Sequence, residues 1–178
     1  RQDPEIWRQV GHHKQALASD PGSDRHHYAL GRIYARQGWM EAAAGELQLA
    51  VEANPGFHDA WQQLGALYLR ERRAGEAAEV FERIVERWPH QVGAWNNLCG
   101  SYMAAGRLDD AHRAFQRALA LAPRSASLHY NLGNLHRMRG ELSQALTAYR
   151  RALSYEPDND RIRDAVGKLA SSLAEPGD

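Results

Sequence analysis

Cysteine occurs once in this sequence, at Cys99, so no disulfide can form within the chain. Lysine is nearly absent too, with two residues against 20 arginines. Because 22 Lys and Arg balance 22 Asp and Glu, the formal net charge is zero. The global basic bias that nucleic acid or an acidic membrane surface would attract is missing, and no nucleic-acid partner is expected. No apolar run approaches the ~20 residues that span a bilayer, so no direct membrane insertion is expected either. No signal peptide is visible, but the sequence starts at Arg1 rather than Met, which predicts a fragment or a processed product. Also absent are a His-Glu-x-x-His pair, a Cys/His set at zinc spacing, a glycine-rich phosphate loop and a nucleophile elbow. These absences predict no catalytic residue, no metal and no cofactor. The 29 alanines and the arginine bias fit a GC-rich bacterial genome. A cytoplasmic location is favoured, and a periplasmic one stays open.

What the sequence does have is a period. Pro21, Pro55, Pro89, Pro123 and Pro157 recur every 34 residues. The same shift aligns Leu30, Leu64, Leu98 and Leu132, then a small column of Gly31, Gly65, Cys99 and Gly133. Tyr34, Tyr68, Tyr102 and His136 follow, then Ala43, Ala77, Ala111 and Ala145, then Leu47, Phe81, Phe115 and Tyr149. A fixed period of this length marks a stack of helical repeats. The units run 24–57, 58–91, 92–125 and 126–159, each reading as two antiparallel helices. In the last unit Leu128, Leu132, Leu135 and His136 share one helical face, and Leu142, Ala145, Leu146, Tyr149, Ala152 and Leu153 share another. Gly38, Gly106 and Gly140 fall at the turn between them, where a left-handed residue is needed. Arg72 takes that place in the second unit, so its turn is expected to be reshaped or mildly strained. The small column lets paired helices approach closely, and Cys99 reads there as packing rather than as a nucleophile.

Both ends cut a unit in half. Residues 1–23 match a second-type helix, with Ile6, Val10, Ala16, Leu17 and Pro21 in register. Residues 160–178 match a first-type capping helix and tail, ended by Glu175-Pro176-Gly177-Asp178.

These columns resemble the tetratricopeptide repeat (TPR) family, with its Trp-x2-Leu-Gly-x2-Tyr, Ala-x3-Phe-x2-Ala and Pro pattern. The matching stretches are Trp61-x2-Leu64-Gly65-x2-Tyr68 and Trp95-x2-Leu98-Cys99-x2-Tyr102, continued by Ala77-x3-Phe81-x2-Ile84 and Ala111-x3-Phe115-x2-Ala118. His27 and His129 depart from the Trp column and His136 from the Tyr column. They read as core substitutions that leave the two outer repeats less fully packed.

The resemblance implies an all-α, right-handed α-solenoid of TPR helix pairs whose concave groove holds a partner protein or peptide. It assigns to that groove Tyr28, Arg32, Arg36, Gln62, Gln63, Arg70, Asn96, Asn97, Met103, Tyr130, Asn131, Asn134 and Arg137. The sixth position of each repeat reads Ala29, Gln63, Asn97, Asn131. This partial amide row is similar to the asparagine ladder in the TPR superhelix of O-linked N-acetylglucosamine transferases. Amides both donate and accept, so a row of them can pair with an extended backbone of any sequence; they equally suit an ordinary solvated helix face. Groove positions also carry Arg25, Arg32, Arg36, Arg70 and Arg137 against Asp59 alone. Arginine grips carboxylates bidentately, which suits an acidic or C-terminal carboxylate ligand, though an arginine-rich proteome accounts for the same excess. Tyr28 and Tyr130 offer stacking surfaces. The carboxylate clamp of chaperone-binding TPR proteins is not supplied by Tyr28-Arg32 and Gln62-Ala66.

His12, His13, His26 and His27 lie close in sequence, and helix packing could bring His13 toward His27, but they read as core or surface histidines. The function expected is a non-catalytic binding scaffold. Two alternatives stand beside it. The complementary half-repeats at the ends could stack copies head to tail as a weak homo-oligomer. The chain could also be the substrate-recruiting arm of a larger enzyme, such as a glycosyltransferase.

Overall fold

The computed structural model describes residues 4–174; the expected start of the first helix and the Glu175-Pro176-Gly177-Asp178 helix end lie outside the described residues. The described residues form ten helices and no strand: α1 (Pro4–Ser19), α2 (Asp24–Gln37), α3 (Met40–Ala53), α4 (His58–Arg70), α5 (Ala74–Arg87), α6 (Val92–Ala104), α7 (Leu108–Leu121), α8 (Ala126–Met138), α9 (Leu142–Tyr155) and α10 (Asp160–Ala174). They gather into two compact units, Arg1–Pro89 with α1 to α5 and His90–Asp178 with α6 to α10. In the first unit α2 packs on α3 and α4 on α5, with α1 laid against α2 and α3 against α4. In the second, α6 packs on α7 and α8 on α9, with α7 against α8 and α10 against α9.

The tight turns follow one hydrogen-bond scheme. Gly38 (φ 82°) donates to Ala35 O at 3.3 Å, and the next amide, Trp39, to Tyr34 O at 3.0 Å. This pair of bonds is the Schellman closure, which demands a left-handed residue. Arg72 adopts it as well, at φ 58°, with Arg72 N donating to Leu69 O at 3.2 Å and Arg73 N to Tyr68 O at 2.8 Å. The turn is therefore not reshaped: the side chain is carried into a conformation that costs an L-residue about 1–2 kcal/mol.

Within each helix pair the small column sets the spacing. A Cβ on Gly31 would meet Leu47 Cγ at 2.7 Å, one on Gly65 would meet Phe81 Cζ at 2.7 Å, and one on Gly133 would meet Tyr149 Cδ1 at 2.5 Å. Cys99, in the same register, is fully buried, and burial pushes its thiol pKa up to about 12. A thiol so seldom ionised is packing, not a nucleophile.

Two further columns hold the helix ends. Trp61 Nε1 donates to Pro55 O (3.1 Å), and His27 Nε2 and His129 Nε2 bond Pro21 O and Pro123 O (2.9 Å each). Arg163 repeats the contact to Pro157 O at 2.8 Å. The Tyr column is covered by the residue five positions on. Trp39 lies 5.6 Å from Tyr34 centroid to centroid, while the Arg73 and Arg107 guanidiniums sit 4.6 and 4.4 Å from the Tyr68 and Tyr102 rings. In the last pair both partners change together: His136 Nδ1 meets Glu141 Oε2 at 2.5 Å. A histidine–carboxylate hydrogen bond thus replaces a cation–π contact at one position.

The sequence places Glu79 and Arg83, and Asp109 and Arg113, at i, i+4 spacing, but the surface ion pairs form elsewhere. Arg83 pairs with Glu86 at 3.6 Å rather than with Glu79. Arg113 takes Asp110, and Asp109 takes Arg139 from the turn after α8. Residues three apart are as near on a helix as residues four apart, and a long arginine reaches past its own helix.

Candidate binding surface

The groove-assigned residues fall into two sets. In the first unit the Tyr28 ring packs on Phe57 with centroids 4.8 Å apart, and Arg32, one turn on, holds its guanidinium 5.5 Å from the same ring. Arg36 and Gln63 are exposed. Gln62 Nε2 lies 3.4 Å from His58 Nε2, one turn earlier on α4. Arg70 turns back toward α2, reaching Ala35 O at 3.4 Å, Met40 Sδ and, at 3.9 Å, the Glu71 carboxylate. Tyr28 and Arg70 therefore spend part of their bonding capacity within the chain.

In the second unit the amides of two helices meet. Asn131 Nδ2 on α8 donates to Asn96 Oδ1 on α6 at 2.9 Å. The pairing joins a sixth-position amide to a fifth-position one instead of running along the sixth positions. It leaves Asn131 Oδ1 as an acceptor and the Asn96 Nδ2 hydrogens as donors, the complement of a peptide unit. Asn97 and Met103 are half-buried on α6; the Asn97 carbonyl accepts from the buried Ser101 hydroxyl at 2.8 Å. Asn134 accepts from the Tyr149 hydroxyl at 2.7 Å. Burial raises the Tyr149 pKa, and the nearby Arg137 guanidinium opposes that shift through its charge and a hydrogen bond.

Sequence reasoning missed the contribution of α10. A cavity of 360 Å³ is lined by Tyr130, Asn134 and Arg137 of α8, Tyr149 of α9, and Arg161, Asp164, Ala165, Lys168, Leu169 and Ser172 of α10. Arg161 Nε donates to the Tyr130 hydroxyl at 3.1 Å and its guanidinium lies 4.7 Å from that ring, which in turn sits 5.4 Å from Tyr149. Lys168 is paired with Asp164 at 2.7 Å. The signal was in the period: counted from residue 160, Arg161, Asp164, Ala165, Lys168 and Ser172 hold the second, fifth, sixth, ninth and thirteenth places. Those are the places that pick out the groove residues in the preceding repeats.

The histidines sort differently from the sequence expectation. His13 Nδ1 lies 2.9 Å from His26 Nδ1, not near His27. Burial and then the neighbouring His26 and His12 rings lower the His13 pKa. His27 instead bonds Glu46 Oε2 through Nδ1 at 2.7 Å. No group of three or more His, Cys, Asp or Glu arranged for a metal occurs among the described residues. No helix among them is long and apolar enough to cross a membrane.

Solved structures share this architecture. YrrB, a TPR protein with an unusual peptide-binding site, is 22% identical over 90% of this chain and 83% of its own, with a TM-score of 0.79. MamA from Desulfovibrio magneticus RS-1 is 20% identical over 88% and 89%, with a TM-score of 0.73. TTC0263, a thermophilic TPR protein from Thermus thermophilus, is 26% identical over 85% and 84%, with a TM-score of 0.63. No curated protein sequence matches. One tetratricopeptide repeat model matches residues 14–58 and 101–165 and a second matches 68–117, so the chain belongs to the tetratricopeptide repeat family.

Proposed function

We propose that this chain is a non-catalytic scaffold that binds an extended segment of a partner protein on the faces formed by the first helices of its repeats. The groove residues counted on units 24–57, 58–91, 92–125 and 126–159 are the contact surface. The carrying observation is the Asn131–Asn96 amide pair, which bridges two first helices and leaves a donor and an acceptor for a peptide backbone. YrrB, a protein of like fold, has a peptide-binding site, which supports a peptide as the ligand.

The test is selection of binders from a random peptide library on the whole chain, followed by titration against the Asn96→Ala, Asn131→Ala double variant. Loss of two hydrogen bonds at about 0.5–1.5 kcal/mol each predicts roughly tenfold weaker binding with little change in Tm. Unchanged affinity for the double variant would overturn the assignment.

A further inference from the structure

We propose that α1 is an acid-released latch: the His13–His26 pair holds it on α2, and α1 leaves α2 when both rings are protonated. The latch lies within the first unit and is independent of peptide binding.

The contact between the two rings has room for a limited number of protons. His13 on α1 and His26 on α2 are half-buried, with their Nδ1 atoms 2.9 Å apart. At that distance one Nδ1 carries a hydrogen and the other offers its lone pair. Two neutral rings satisfy the contact, and so does one neutral ring beside one imidazolium. Two imidazoliums do not, because each carries a hydrogen on Nδ1 and the two N–H groups meet head on. The exposed His12 ring stands near both, its centroid 5.3 Å from that of His13 and 6.3 Å from that of His26. Acid therefore gathers like charges at one helix joint, where each disfavours the next.

The neighbouring carboxylates are committed elsewhere. Asp24 Oδ2 accepts from Asn54 Nδ2 at 2.6 Å, and its Oδ1 accepts from the Arg25 amide at 2.8 Å. Glu46, reaching in from α3, bonds His27 at 2.7 Å. Asp20, in the turn between α1 and α2, is exposed, while Lys14 and Arg25 add positive charge beside His13 and His26. Among the described residues no carboxylate is paired with His13 or His26. Burial, then the His26 and His12 rings, lower the His13 pKa from its ordinary 6.5.

α1 is also lightly anchored. Val10 is its one buried residue, whereas α2, α3, α4 and α5 bury four to six each. Trp7 adds a ring contact to Trp39 at 5.4 Å but stays 43% exposed. With so little apolar area buried, one polar contact weighs heavily in whether the helix stays docked. α1 covers α2 as α3 covers α4. Its departure bares that face of α2 and removes one wall of the 670 Å³ cavity that Trp7 and Lys14 line with Tyr34, Trp39 and Leu49.

The direction of the response follows from linkage. Released, His13 returns to its ordinary pKa of 6.5 and takes up a proton more readily than when docked. Docking is whole above pH 6.5 and weakens as pH falls below it. The adjacent His27 responds in the opposite sense, its pKa raised by Glu46 and Pro21 against burial, so acid loosens α1 while α2 stays on α3.

Hydrogen exchange on the whole 15N-labelled chain at pH 7.5 and 5.0, expressed as protection factors, tests the latch. Protection across Pro4–Ser19 is expected to fall about tenfold relative to α4 and α5 on acidification, with the Trp7 indole N–H signal moving in parallel. Unchanged protection of α1, or an equal loss in all helices of the unit, would overturn the proposal. Glutamine keeps a donor and an acceptor but takes no proton, so His13→Gln and His26→Gln should each keep α1 protected at pH 5.0. A fall in both variants as large as in the parent chain would overturn the assignment to this pair.

Discussion

Trp61 donates its indole N–H to the carbonyl oxygen of Pro55, 3.1 Å away, and so ties the start of α4 to the turn before it. His27, His129 and Arg163 stand in the same register and give their nitrogens to Pro21, Pro123 and Pro157. The column selects a nitrogen donor at a fixed reach, not an aromatic ring as such.

Removing the donor while keeping a ring should therefore destabilise. Trp61→Phe and His129→Phe are each expected to lower unfolding free energy by about 1 kcal/mol. His129→Trp, which keeps an N–H, should cost less than His129→Phe. Urea titrations of the three variants decide the point, and equal losses at residue 129 would argue for ring volume alone.

His27 predicts a pH dependence. Its two ring nitrogens face the Glu46 carboxylate and the Pro21 carbonyl, both acceptors, so both bonds form only with the imidazolium. Burial works against the charge, but the Glu46 and Pro21 contacts outweigh it and raise the pKa above the ordinary 6.5. The folded state then holds the proton more tightly than the unfolded one. The contribution is whole below pH 6.5 and fades as pH climbs through the raised folded value. His27→Gln should flatten that part of the decline in Tm as pH rises above 6.5, and an unchanged slope would count against it.

His136 and Glu141 should behave as a unit. His136→Tyr sets a carboxylate beneath an aromatic face, and Glu141→Arg sets a cation against an imidazole. The double variant rebuilds the arginine-on-tyrosine contact seen at Arg73–Tyr68 and Arg107–Tyr102. A double-mutant cycle is expected to show a favourable coupling of about 1 kcal/mol. Strict additivity would rule the compensation out.

At the turn after α4, Arg72→Gly should raise the urea midpoint. Relief of about 1–2 kcal/mol of left-handed strain exceeds the ~0.5–1 kcal/mol that glycine's extra freedom costs. Gly106→Ala should move the midpoint the other way.

Helix pairing is legible in the sequence because local physics writes it: glycine where φ must be positive, a missing Cβ where Leu47, Phe81 and Tyr149 press in, proline where a helix must stop. Side-chain partnering is less legible. Arg83 can reach Glu79 or Glu86 equally well along one helix, and Asp109 finds Arg139 thirty residues away, which no local spacing encodes. Among the surface residues, the four full repeats name Tyr130, Asn134 and Arg137; Arg161 and Lys168 hold matching places in the final half-repeat, but such a half-repeat reads as a cap, while α10 forms the next wall of the same surface. Arg70 and Tyr28 carry no sign in sequence that intramolecular partners hold them.

Cys99 turns the second unit into its own chronometer. With no exposed surface and a thiol pKa of about 12, the chain's single sulfhydryl is shut off from reagents while α6 stays docked on α7. The rate at which a disulfide reagent labels it then reports how often that helix pair opens, without any engineered probe. A ligand that clamps α6 to α8 through Asn96 and Asn131 should slow that clock, reporting on binding from inside the fold.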